Sequence, residues 1–192
     1  MTTTKPETSA SQSLARSGMT LTAAGLISGL ANYATNAILG RSLDPAAFGD
    51  AAVAITLMLV TTGLAGVVQL ATAQRVASTG VAVTRRLGLR VGVAAAAAFV
   101  AASPLLASLL NTAGSAIFVL LARGLPFQMI LAVERGTLQG RLRFGGLAVT
   151  FAVEGALRLL ITGAVLQFAA TANAAPLGIS AAVAATSMVA VV

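Results

Sequence analysis

AAVAITLMLVTTGLAGVVQLATAQ, residues 51–74, contains no charged side chain from end to end. A bilayer hydrocarbon core of about 30 Å needs about 20 consecutive apolar residues per crossing helix. Residues 17–40 are also free of charge, residues 91–133 carry only Arg123, and residues 144–192 carry only Glu154 and Arg158. The first two stretches each fit one crossing and the two longer ones fit two each. An all-α, polytopic membrane helix bundle of about six helices is therefore expected, near 18–39, 50–73, 90–110, 114–133, 147–168 and 174–192. Asn111-Thr112-Ala113-Gly114 separates the third helix from the fourth as a polar turn with a glycine breaker. The uncharged segment 169–176 separates the fifth from the sixth.

Composition agrees. The chain is 57% hydrophobic and 9% charged, with a mean hydropathy of +0.93. Soluble domains average about 25% charged residues, and so few charges could not cover a water-facing surface. A net charge of +7 in a soluble protein would point to nucleic acid. Here the basic residues cluster between apolar stretches, the pattern that fixes membrane orientation, so no nucleic-acid partner is expected. The absence of Cys and His excludes disulfides, Cys/His metal sites, a thiol nucleophile and an imidazole base. With no Walker A motif and no paired intramembrane acids, neither an enzyme nor a cofactor is expected. Aromatics are scarce, with Phe 7, Tyr 1 and Trp 0, so the interfacial belt is thin.

Residues 1–15 (MTTTKPETSASQSLA) are rich in Thr and Ser, lack apolar periodicity, and predict a disordered tail. Lys5 and Arg16 ahead of an apolar run also suit a signal peptide. That run is long, is interrupted by Asn32, Tyr33 and Asn36, and is followed by further spans, which favours retention as a first transmembrane helix.

The connecting segments alternate in charge. The tail has Lys5 and Arg16 against Glu7, and the first loop has Arg41 against Asp44 and Asp50. The second has Arg75, Arg85, Arg86 and Arg90 with no acid, the third has no charge, and the fourth has Arg135, Arg141 and Arg143 against Glu134. Basic loops lie on the cytoplasmic side, which predicts a cytoplasmic amino terminus. The second loop, residues 74–92, interleaves its arginines with Val76, Val81, Val83, Leu87 and Leu89. It either lies along an anionic inner surface or serves orientation alone.

Three ionisable groups fall at membrane depth, where each costs at least ~2.5–3.5 kcal/mol near the centre and usually faces a cavity or a partner. Arg123 lies about nine residues, or roughly 14 Å, into the fourth helix, and Arg158 lies at similar depth in the fifth. Glu154 sits one turn before Arg158 on the same face. Gly124 and Pro126 follow Arg123, and Pro126 leaves the Ala122 carbonyl without its helical partner. Broken helices are tolerated where they line a cavity. One reading is a self-neutralising Glu154–Arg158 pair with Arg123 capping broken backbone. The other is an aqueous cavity with net positive charge, since guanidinium groups grip phosphate in bidentate fashion. Asn32 and Asn36 on one face of the first helix, with Gln69, Gln74 and Gln128, are interhelical packing amides or contacts for sugar hydroxyls. Gly25/Gly29 and Gly136/Gly140 form small-xxx-small steps and read as helix-packing sites. Asp44 and Asp50 read as punctuation and capping rather than metal ligands.

Two blocks carry a resemblance. Leu39-Gly40-Arg41-Ser42-Leu43-Asp44-Pro45-Ala46-Ala47-Phe48-Gly49 resembles the GR-x-L-x-P-x-x-F/Y-G turn between the first two helices of polysaccharide-biosynthesis flippases. A second helix ending in Gln74-Arg75-Val76-Ala77 follows, as in that family. Leu138-Gln139-Gly140-Arg141-Leu142-Arg143-Phe144 looks like the family's LQG-x-x-R/K-F turn before the fifth helix, with Arg158 in the familiar LRL setting. These are lipid-linked oligosaccharide flippases of the multidrug/oligosaccharidyl-lipid/polysaccharide exporter superfamily.

Over residues 12–170 the resemblance implies a bacterial inner-membrane exporter that turns over a polyprenyl-diphosphate-linked saccharide by alternating access. It also implies two six-helix lobes around a central cavity. This chain supplies one, so an amino-terminal half paired with a missing second lobe is expected, or less simply a homodimer. Arg123, Arg158, Glu154, Asn32, Asn36 and Gln128 are the expected substrate-binding residues. Two competing readings stand beside it. One is a cation-coupled multidrug exporter of the same superfamily with Glu154 as the ion site. The other is a non-transporting membrane assembly subunit.

Overall fold

The computed structural model describes residues 7–190, with side chains from residue 18 onward except at Leu21. It is an all-helical bundle. In chain order the helices are α1 (Glu7–Ser42), α2 (Pro45–Thr79), α3 (Arg85–Leu109), α4 (Ala116–Ala122), α5 (Leu125–Gly140), α6 (Phe144–Phe168) and α7 (Ala174–Val189). Among the described residues four spans are long and apolar enough to cross a membrane: α2, α3, α4–α5 taken together (Ala116–Gly140) and α6. The 36-residue α1 exceeds them in length but is diluted by Asn32, Tyr33 and Asn36.

Three boundaries differ from expectation. Helix α1 begins at Glu7, so residues 7–15 are helical rather than a disordered tail, while residues 1–6 lie outside the described residues. A polar stretch cannot build a core, but it can extend a helix already nucleated downstream, because each added residue gains a hydrogen bond. The fourth expected helix is two segments. Pro126 lacks a backbone donor, and the chain tightens before it, with Gly124 N donating to Leu121 O at 3.0 Å. Helix α5 then restarts with Gln128 N donating to Gly124 O at 2.9 Å and runs to Gly140. Finally, the long basic loop expected at 74–92 is short. Helix α2 continues to Thr79 and α3 begins at Arg85, so most of the basic run is helical. Gly80 closes α2 with φ 70, a left-handed cap that glycine adopts without a Cβ penalty.

Helix α5 lies between α2 and α3, and α6 lies between α1 and α7. Small residues let the backbones approach. A Cβ at Gly140 would stand 2.6 Å from the Ala73 carbonyl oxygen, and one at Gly136 would collide with the Gln69 carbonyl oxygen and Thr72. The Gly136/Gly140 step is therefore the α2–α5 contact. Gly25 and Gly29 are not a packing step, because a Cβ at either would meet nothing within 4 Å. Helix α1 instead approaches α6 through Ser28 and Ala31 at Gly155.

The connections segregate to opposite ends. At one end Asp44 caps α2, its Oδ1 accepting from Ala46 N at 3.0 Å and Ala47 N at 2.9 Å. This is the punctuating role expected of it, and Pro45 occupies the first turn, where a missing N–H costs nothing. Asp50 Oδ2 accepts from Ala113 N at 3.2 Å, joining the start of α2 to the α3–α4 connection. Residues 170–173 of the α6–α7 connection line the same recess. The other end gathers the basic residues, where Arg85 pairs with Glu134 and donates to the Ser187 carbonyl oxygen. A core of Leu39, Ala51, Ile55, Met58, Leu121 and Ile179 sits toward the Asp44 end.

Candidate functional site

Helix α1 leans on α6 and α2 leans on α5, whereas α1 and α2 touch little beyond the turn that joins them. The wedge left between the two pairs is a cavity of about 380 Å³. Helix α1 contributes Ser28, Gly29 and Asn32, and α2 contributes Met58, Leu59, Thr62, Ala65, Gly66 and Gln69. Helix α5 contributes Gln128, Leu131, Ala132 and Arg135, and α6 contributes Phe151, Glu154 and Arg158.

The chemistry of this cavity is an Arg–Glu–Arg cluster. Thr150, Glu154 and Arg158 recur every four residues and so share one face of α6; Glu154 and Arg158 flank its midpoint. Glu154 Oε2 accepts from Arg135 Nη2 at 2.8 Å, and Glu154 Oε1 accepts from Arg158 Nη2. All three side chains are largely buried, with 10%, 13% and 11% exposure for Arg135, Glu154 and Arg158. Two guanidiniums against one carboxylate leave one net positive charge at membrane depth.

The two arginines are held differently. Arg135 is anchored on α6: its Nε donates to Thr150 Oγ1 and its Nη2 to the Thr150 carbonyl oxygen, both at 3.0 Å. Its guanidinium also lies 4.0 Å over the Phe151 ring, a cation–π contact. Among the described residues Arg158 makes a hydrogen bond and ion pair to Glu154 alone, and its Nε is buried without a hydrogen-bond partner. A buried donor without a partner is costly, and here it belongs to a side chain lining the cavity.

Four of the expected site residues are brought together here: Arg158, Glu154, Asn32 and Gln128, the last donating to Thr62 Oγ1 at 3.0 Å. Two are not. Arg123 is exposed on the opposite side of α4–α5, in a shallow recess with Val93, Ala97 and Val100 of α3, and takes no part in the cluster. At 3.6 residues per turn the cavity-lining Gln128, Leu131, Ala132 and Arg135 fall on a different helix face from Arg123. Asn36 donates from Nδ2 to the Asn32 carbonyl oxygen at 3.1 Å, a bond within its own helix, and lies outside the cavity lining.

The residue missed is Arg135, which loop counting assigned to the fourth connection. Ending the helix at Val133 put Glu134 and Arg135 outside the membrane. The signal that could have placed it was the Gly136/Gly140 step, which packs only if the helix continues to Gly140. Gln69, weighed as packing glue, both lines the cavity and donates to Gln139 Oε1 at 2.9 Å. No cluster of three or more potential metal ligands occurs among the described residues. Comparison with known proteins finds no matching family model, no matching curated protein and no matching solved structure.

Proposed function

We propose that the chain is one lobe of a membrane transporter, a flippase that moves a polyprenyl-diphosphate-linked saccharide across a bacterial inner membrane by alternating access. The observation that carries this reading is the net positive Arg135–Glu154–Arg158 cluster in a cavity of about 380 Å³ at membrane depth. A phosphate needs fixed guanidinium donors, and a saccharide needs amides and hydroxyls. Arg158 lines the wall with a guanidinium that is only partly engaged among the described residues, and Asn32, Gln128, Gln69 and Thr62 stand on the same walls. The motif resemblance at Gly40–Gly49 and Leu138–Phe144 points to the same class of transporter. The cytoplasmic placement of the amino terminus belongs to this proposal, on the charge alternation of the loops.

An ion-coupled drug exporter using Glu154 fits less well. Both carboxylate oxygens are engaged by guanidinium, so the charge that would attract a coupling cation is already compensated twice over. An assembly subunit without transport gives no account of a charged cluster beside an open cavity. The test is Arg158→Ala in the protein as encoded. Surface polysaccharide should be lost by at least about tenfold, the effect of one charge-assisted contact of ~1.5–3 kcal/mol, while membrane insertion is retained. Unchanged polysaccharide with the variant fully inserted would refute the role of this cavity.

A further inference from the structure

The basic run at the start of α3 has no part in the transport reading, yet it borders a groove of about 390 Å³ between α3, α5 and α7. The lining of this groove is graded along the bundle axis. Arg85 and Arg86 stand at its basic end, and Leu89, Ile130 and Phe127 follow toward the apolar middle, with Met188 at the flank. Arg85 is committed: it pairs with Glu134 and its Nη2 donates to the Ser187 carbonyl oxygen at 2.7 Å. That pair is internally neutral and fixes the three helices that form the walls.

Arg86 is exposed and makes no ion pair or hydrogen bond among the described residues, and the same holds for Arg90. Four residues apart, they share a helix face, where like charges repel. No acid in the first turn of α3 relieves them. At 1.5 Å per residue they are separated by about 6 Å along the axis. They immediately precede the uncharged stretch that begins at Val91, so they stand at headgroup depth.

We propose that this groove seats one anionic phospholipid, with its phosphate held by Arg86 in the lining and by Arg90, one turn along α3 and outside the lining, and with an acyl chain along Leu89, Ile130 and Phe127. The occupant follows from charge and gradient together. Free phosphate would have no use for the apolar half of the groove, and a zwitterionic headgroup would bring its own cation up to two unpaired arginines. Basic pockets between transmembrane helices are a recognised way of holding anionic headgroups. The proposal does not depend on the transport reading.

The test is native mass spectrometry of the purified chain in detergent, titrated with phosphatidylglycerol or phosphatidylcholine. One saturable phosphatidylglycerol adduct is expected, weakened about tenfold or more in Arg86→Gln/Arg90→Gln, and undiminished by millimolar inorganic phosphate. Arg141→Gln/Arg143→Gln removes the same charge from the same end of the bundle and should retain the adduct. The proposal is overturned if phosphatidylcholine binds equally well, if inorganic phosphate displaces the lipid, or if both double variants weaken binding alike. That last result would mean diffuse attraction to the whole basic end. All four arginines are exposed, so folding should survive each change, and helicity measured by circular dichroism checks that it does.

Discussion

Removing the Glu154 carboxylate would leave Arg135 and Arg158 as like charges at membrane depth, each without its counterion. A buried ion pair adds little over an apolar substitute, but breaking one costs on the order of 3–5 kcal/mol because a charge is left uncompensated. Glu154→Gln should therefore lower the thermal midpoint of the detergent-purified protein more than any other single change in the cluster. Arg135→Ala leaves a neutral Glu154–Arg158 pair on one helix, so it should be milder despite losing the Thr150 and Phe151 contacts. Thermal denaturation of both variants checks the order, and a larger loss in Arg135→Ala would mean that packing, not charge compensation, holds the cluster. The difference between the arginines also has a functional edge. Arg135 is fixed through Nε and Nη2 to Thr150 and Glu154, whereas Arg158 is held through Nη2 to Glu154 and its Nε has no hydrogen-bond partner among the described residues, so Arg158 is the less committed of the two toward an anion.

Between helices the controlling quantity is backbone distance. With no hydrophobic drive to associate inside a bilayer, helices rely on close packing through small residues. Gly136→Ala forces a Cβ against the Gln69 carbonyl oxygen and Thr72, and overpacking of this kind costs about 1–3 kcal/mol. Gly25→Ala enters open space and should be neutral or stabilising by up to ~1 kcal/mol, because alanine is the better helix former. Thermal unfolding of the two variants separates them; equal behaviour would remove Gly136 from the α2–α5 contact. The contrast also marks what a linear sequence discloses. Uncharged runs disclosed the spans, Asp44-Pro45 disclosed a cap, and Pro126 disclosed a break, because each effect is local to the chain. The faces of the helices stayed hidden. Lipid and core are both apolar, so a membrane helix carries little of the polar-outside pattern that would orient it. Gly25/Gly29 and Gly136/Gly140 look alike as motifs, yet only the second pair meets a neighbour. Arg123 was misplaced for this reason, because rotation about a helix axis is set by partners; Arg135 was missed for another, a helix end set at Val133 when α5 runs to Gly140.

At the scale of the whole bundle, two properties follow from how the helices are arranged. The connections divide into an acidic or neutral end around Asp44, Asp50 and residues 170–173 and a basic end around Arg85. Basic loops are retained on the cytoplasmic side, so a reporter fused after Gly80 should score cytoplasmic and one after Thr112 external; the reverse pair would overturn the orientation. The second property is wetness. A net charge at membrane depth is tolerated where water or a partner reaches it, and the cavity mouth between α1 and α2 carries polar Asn32 and Thr62 rather than a closed apolar seam. The chain has no cysteine, so single-cysteine variants report without background. Thr62→Cys, on the cavity wall, should react with a membrane-impermeant maleimide in inside-out or right-side-out vesicles. Leu160→Cys, 66% exposed on α6 and absent from the cavity lining, should resist the reagent in both. Labelling of Thr62→Cys from each side in turn, with protection by a lipid diphosphate, is what alternating access requires. If Thr62→Cys were as unreactive as Leu160→Cys from both sides, the wedge would be filled by lipid or closed by another helix, and the cluster would be a structural pair rather than a binding site.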